Sequence, residues 1–255
     1  MTRYDQLDIP GHDLSGSISS GLIGDFLTPD EWTAVSLSLG VAARSVAFGL
    51  PLAIVLAWVL ARCRFPGRAI LDALVHLPMV LPPVVVGWLL LLLLGVRGPV
   101  GAWLHEWFGV RLVFTTEGAA IACAAMSLPL MVRAVRLSIE AIDPGLEAAA
   151  QTLGAGRLDR FLTITLPLAM PGVLSGAVVG YVASLGEFGA VITFAANIPG
   201  ETQTLPLAIY SALQTPDGEA TAAKLALVSI LLAILGLGVA EWIGRRARAA
   251  IGHRT

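Results

Sequence analysis

The sequence predicts an all-α integral membrane protein: five transmembrane helices joined by short connections, with one long polar loop. Three observations lead there. Hydrophobic residues make up 56% of the 255-residue chain and charged residues only 13%, at a mean hydropathy of +0.80. A soluble domain carries roughly 25% charged residues. Five segments, about 34–61, 70–94, 118–137, 169–195 and 225–243, are long and apolar enough to cross roughly 30 Å of hydrocarbon. The basic residues, finally, are distributed on one side of those segments.

Taken in order, residues 1–31 form a polar N-terminal arm, within which 17–27 read equally well as a short interfacial helix or a loose tail. At its end, 28-TPDE-31 carries a capping box: Thr28 as N-cap, Pro29 at the first helical position and Glu31 reaching back. The first helix therefore starts before its apolar run. The second span holds Pro78, Pro82 and Pro83, which break backbone hydrogen bonds and call for a kink. That kink either lines or gates a passage or only serves helix packing. The third span is short, and Arg133 and Arg136 can snorkel from its end. Gly186, Gly189 and Pro199 can bend or end the fourth. His76, Glu241 and Trp242 read as interfacial residues, and Cys63 and Cys123 as packing residues.

Eleven of the sixteen basic residues fall on one side: Arg62, Arg64 and Arg68 in the first connection, Arg133, Arg136, Arg157 and Arg160 around the third, and Arg245, Arg246, Arg248 and Arg254 at the end. The positive-inside rule makes that side cytoplasmic, with the N-terminus periplasmic and residues 247–255 a cytoplasmic tail. Net charge of −2 and a pI near 6.1 give no sign of nucleic-acid binding. No cluster of His, Asp or Glu gathers at catalytic spacing, which argues against an enzyme.

The loop 138–168 is more than a connector. Asp143 and Pro144 open a helix, Leu146, Ala149, Ala150 and Leu153 share one face, and Gly154 suits the left-handed residue that ends it. A second short helix is expected from Leu158, and Pro167 opens the next span. The stretch resembles the EAA loop of membrane subunits of binding-protein-dependent ABC importers, matching at Ala149, Ala150, Gly154, Ile164, Leu166 and Pro167. The motif's glutamate falls at Ala148, and Glu147 stands one residue early. The resemblance implies a type I, MetI-like permease fold over residues 32–246. It also implies a loop that couples to a separate ATPase subunit through Glu147, Ala149, Ala150, Gly154, Ile164, Leu166 and Pro167. The chain has no phosphate-binding G-x4-G-K-[ST] loop of its own, so no cofactor is expected on it and ATP belongs to the partner.

The segments 65-FPGRAILDALVHLPMVLPPVVVGWLLLLLLG-95, 184-SLGEFGAVITF-194 and 197-NIPGETQTLPLAIYSALQT-215 resemble molybdate-importer permeases, with sulfate and thiosulfate permeases as near relatives. Five spans are too few to enclose a passage alone, so a homodimer is expected; the resemblance implies a place in the bacterial inner membrane and a periplasmic molybdate-binding protein that feeds it, with tungstate or sulfate as alternative cargo. Candidate path or gate residues are Pro82, Pro83, Ser184, Glu187 and Arg44. Arg44 and Glu187 come out at similar heights, about 25 Å and about 24 Å from the cytoplasmic ends of their spans at 1.5 Å per residue. Three readings of Arg44 stand open: an ion pair with Glu187, within one subunit or across the dimer, snorkelling outward, or a place on the anion path. Glu187, a poor ligand for a dianion, reads as a residue that holds the outer half of its span.

Overall fold

The computed structural model describes residues 27–252, whose regular elements are all helices. The expectations for residues 17–26 and 253–255 lie outside that range. Helix α1 (Pro29–Arg62) starts at the expected capping box: the Thr28 N–H donates to Glu31 Oε2 at 2.7 Å and the Glu31 N–H to Thr28 Oγ1 at 3.3 Å. Lys224 Nζ lies 2.8 Å from Glu31 Oε1, tying this end of α1 to the last helix.

The second expected span is not one kinked helix. It is two, α2 (Arg68–Val80) and α3 (Pro83–Leu94), meeting at 118°. Two consecutive prolines supply no N–H for the helical ladder and push the residue before each out of the helical region. Leu81 accordingly sits at ψ 146° and Pro82 at ψ 134°.

Two short helices complete the connections: α4 (Pro99–Phe108), ended by Gly109 at φ +65°, and, later in the chain, α10 (Leu205–Leu213). Between them run α5 (Thr116–Glu140), α6 (Pro144–Thr152), α7 (Arg157–Arg160), α8 (Leu166–Leu185) and α9 (Gly189–Phe194); α11 (Glu219–Gly252) closes the fold. Four helical stretches, α1, α5, Arg157–Leu185 and Glu219–Val239, are each long and apolar enough to cross a membrane, and the bent α2–α3 pair makes a fifth.

Two boundaries differ from the sequence reading. Pro167 does not open the fourth span, because the helix already runs from α7 into α8 through a π turn at Phe161–Thr165. There the Leu166 N–H reaches back to Phe161 O, and the widened turn makes room for a proline ring one residue on. At its far end the span stops at Leu185, so the expected 169–195 segment is α8 followed by a separate α9.

Helices α1, α5 and α8 form the central bundle, with two clusters of buried side chains along it. One gathers Leu60, Met131, Val135, Ile139 and Val173 near the loop-bearing end; the other gathers Val41, Ala122, Val191, Phe194 and Leu207 at the opposite end. Lipid tails are as apolar as leucine, so helices in a membrane associate by close packing rather than by hydrophobic burial. The run 172-GVLSGAVVG-180 does this for α8. A Cβ on Gly172 would fall 2.2 Å from Ser138 Cβ, and one on Gly180 2.7 Å from Met131 Cγ.

Candidate functional site

The loop after α5 is built from local signals. Asp143 caps α6 by accepting the Gly145 N–H at 2.8 Å, and Pro144 fills the first helical position. Gly154 adopts φ +89°, the left-handed conformation that costs glycine least. Its N–H donates to Gln151 O and that of Ala155 to Ala150 O, the paired bonds that close a helix C-terminus. None of α6 is buried. Leu146 is 48% and Leu153 88% exposed, and Ala149 lies open between them. A row of exposed apolar side chains on one polar loop is a surface shaped for contact.

The other face of α6 is fixed to the body of the protein. Glu147 Oε1 lies 3.0 Å from Arg62 Nε at the end of α1, and accepts a hydrogen bond of 3.0 Å from Thr165 Oγ1 in the π turn. The Nε contact is an ion pair out of line for a hydrogen bond. Arg62 uses its Nη2 instead to donate to Ile139 O at 3.0 Å and Ile142 O at 3.1 Å, where α5 ends. Arg160 Nη1 donates to Gln151 Oε1 at 2.9 Å. Glu147 thus joins α1 and α8 directly to α6, and Arg62 adds α5. Standing one residue early, it points at the chain's own arginine rather than lying with the exposed leucines. A cavity of about 280 Å³ opens beside it between the end of α1 and the loop.

Of the other loop positions, Pro167 is exposed, and Ile164 and Leu166 are half-buried where the π turn meets α8. Nearby, Arg136 does not simply snorkel: its Nη1 bridges both Asp72 oxygens at 3.1 and 3.2 Å, and its Nε reaches Glu140 Oε1 at 2.8 Å. His76 Nδ1 lies 3.2 Å from the same Asp72 carboxylate.

At the opposite end, the structure brings together two segments far apart in sequence. A Cβ on Gly189 would fall 2.7 Å from Pro83 Cβ, and one on Gly87 2.7 Å from Ala190 O, so α3 and α9 lie backbone against backbone. Glu187 Oε1 accepts the Ala190 N–H at 2.9 Å and so satisfies the first turn of α9. Pro82 and Pro83 are exposed at the start of α3, alongside Val84.

Arg44 and Ser184, two candidate path residues, lie in different settings. Among the described residues no ion pair joins Arg44 to Glu187 within the chain; Arg44 is exposed on α1, and the Glu187 carboxylate is already used three residues on. Ser184 does not line an open surface. It is 5% exposed, its Oγ lies 2.8 Å from Ser45 Oγ and donates to Gly180 O, and Cys123 Sγ contacts its carbonyl at 3.7 Å. It joins α1, α5 and α8 in the interior. Arg62, Thr165 and Arg160 were not among the site residues the sequence singled out. Their only sequence signal is a polar side chain at the rim of an apolar span.

Comparison with known proteins agrees with this architecture. Residues 49–249 match the family described as binding-protein-dependent transport system inner membrane component. The chain is 55% identical over 227 residues to the molybdenum transport system permease protein ModB of Escherichia coli (strain K12), covering 89% of this chain and 99% of that protein. It is 37% identical over 225 residues to the sulfate transport system permease protein CysT of Salmonella typhimurium, covering 88% and 81%. In fold it is similar to a bacterial alginate ABC transporter solved with its periplasmic protein, at a TM-score of 0.66 and 21% identity over 88% of this chain and 81% of that one. Apolar helices in this arrangement and a family match over most of the length lead to one conclusion: the chain is a multi-pass membrane protein that belongs to the binding-protein-dependent transport system inner-membrane components, with the permease fold of type I ABC importers.

Proposed function

We propose that this chain is the membrane-spanning subunit of an importer that passes molybdate, delivered by a periplasmic binding protein, into the cytoplasm. A separate ATPase subunit docks on the loop 138–168 and drives the cycle. The observation that carries the substrate is the 55% identity to a molybdenum permease across 99% of its length, against 37% to a sulfate permease. In this reading Leu146, Ala149 and Leu153 face the ATPase, while Glu147, Gly154, Ile164, Leu166 and Pro167 shape the loop and pass its motion to the helices. The loop-bearing end is cytoplasmic, as its arginines require, and two copies enclose the passage. Pro82 and Pro83, at the break between α2 and α3, stand at the gate, with Glu187 holding α9 against them. Arg44 is on the anion path, turned outward, or paired with Glu187 across the dimer, and a dianion needs donors more than carboxylates along its way.

Uptake of labelled molybdate into vesicles holding the assembled transporter tests this. Uptake should need ATP and the binding protein, and a large excess of sulfate should compete weakly. Strong competition by sulfate would favour the sulfate or thiosulfate reading, and uptake without ATP would contradict both.

A further inference from the structure

We propose that the cavity between the end of α1 and the loop binds the phosphate group of an anionic phospholipid. Arg62, Arg64, Arg157 and Arg160 line it, against one carboxylate, Glu147. Glu147 is matched to Arg62, so the positive charge of the other three is uncompensated there; among the described residues none of them has a carboxylate partner. Clustered arginines at a membrane surface attract anionic headgroups, and a guanidinium fits a phosphate through two parallel hydrogen bonds.

The surroundings favour a lipid over a free ion. Trp58 and Phe161 form one wall of the cavity, with ring centroids 5.3 Å apart. Tryptophan beside arginine at the end of an apolar span marks headgroup depth. Next to the cavity in sequence, Phe65 is 38% and Leu162 51% exposed. These apolar side chains offer acyl chains a surface that a small oxyanion would not use. On α6 the residue that lines the cavity, Glu147, lies about 100° around the helix from Leu146, and Gln151, which holds the cavity's Arg160, about 140°. A lipid here would therefore sit behind the face proposed for the ATPase, against the contacts that fix the loop to α1 and α8. The inference rests on membrane embedding alone and not on the choice of substrate.

The test is native mass spectrometry of the purified full chain titrated with phosphatidylglycerol or phosphatidylcholine. Phosphatidylglycerol should bind at least about 25-fold more tightly, about fivefold for each of two or more arginines. The double variant Arg64→Gln/Arg157→Gln should weaken it about 25-fold, at about fivefold per arginine, with phosphatidylcholine unchanged. Arg64→Lys/Arg157→Lys should keep most of the preference, which separates lost charge from a misfolded loop, and Arg245→Gln should have no effect. Equal binding of the two lipids, or full phosphatidylglycerol binding by the glutamine variant, would overturn the proposal. Complete displacement by excess inorganic phosphate would assign the site to a free oxyanion and also overturn it. Each of these leaves the transport assay above unaffected.

Discussion

The α6 loop and the α3–α9 contact are held in place by different means. At the loop end, charged side chains do the work: Arg62 reaches Glu147 and two carbonyls at the end of α5, Arg136 bridges Asp72 and Glu140, and Arg160 holds Gln151. At the far contact, α3 and α9 touch through missing side chains, Gly87 and Gly189, and the Glu187 carboxylate beside them finishes α9. Polar contacts can be remade in a second geometry, since water and neighbouring groups can take up the bonds. Glycine contacts are set by shape and tolerate almost no added volume. This contrast suits the roles proposed above, a loop that moves with a partner and a gate whose short helices move as rigid pieces.

The sharpest way to break that contrast is at the exposed face of α6. Leu153→Asp alters a side chain 88% exposed, so the isolated chain should keep its stability to within about 0.5 kcal/mol. Co-purification of the ATPase should nevertheless be lost, as for an interface anchor of about 2 kcal/mol or more. Gly189→Val should come next. Its Cβ would meet that of Pro83 at 2.7 Å, and we expect uptake to fall at least about tenfold and thermal stability by about 1–3 kcal/mol, with ATPase binding retained.

A smaller effect should follow from the ion pair. Arg62 and Glu147 are 17% and 19% exposed, so Glu147→Gln should cost less than a fully buried pair, on the order of 1–2 kcal/mol. In a thermal double-mutant cycle, Arg62→Met and Glu147→Met together should cost less than the sum of the single changes. Smallest should be Ser184→Ala. Removing the 2.8 Å contact with Ser45 should lower stability by about 1 kcal/mol and leave substrate preference untouched, whereas a path residue would change it.

Much of the frame was legible because it rests on local signals. The capping box at Thr28, the arrest of α6 at Gly154 and the apolar runs of α1, α5, α8 and α11 are each written in a few adjacent residues. The prolines signalled a disturbance at 82–83 but not its size, since two helices at 118° need neighbours to hold them and those lie in α9. Helix α4 had its marks, Pro99 at the start and Gly109 at the end, but is too short to stand out beside a membrane span. Equal height did not fix the partner of Glu187 within the chain, because height says nothing of direction and the Ala190 N–H lies three residues away. Arg62 and Glu147 are far apart in the chain, and no spacing rule links them.

In the mechanism proposed above, α6 receives motion on one face and delivers it through Glu147 and Arg62 on the other. ATP hydrolysis and molybdate uptake measured together in vesicles holding the assembled transporter test this most directly, comparing the unaltered chain with Glu147→Gln. The variant should still bind the ATPase and hydrolyse ATP within about twofold, while molybdate moved per ATP falls about tenfold, the change expected from losing about 1.4 kcal/mol of coupling. An unchanged ratio of uptake to hydrolysis would contradict the account.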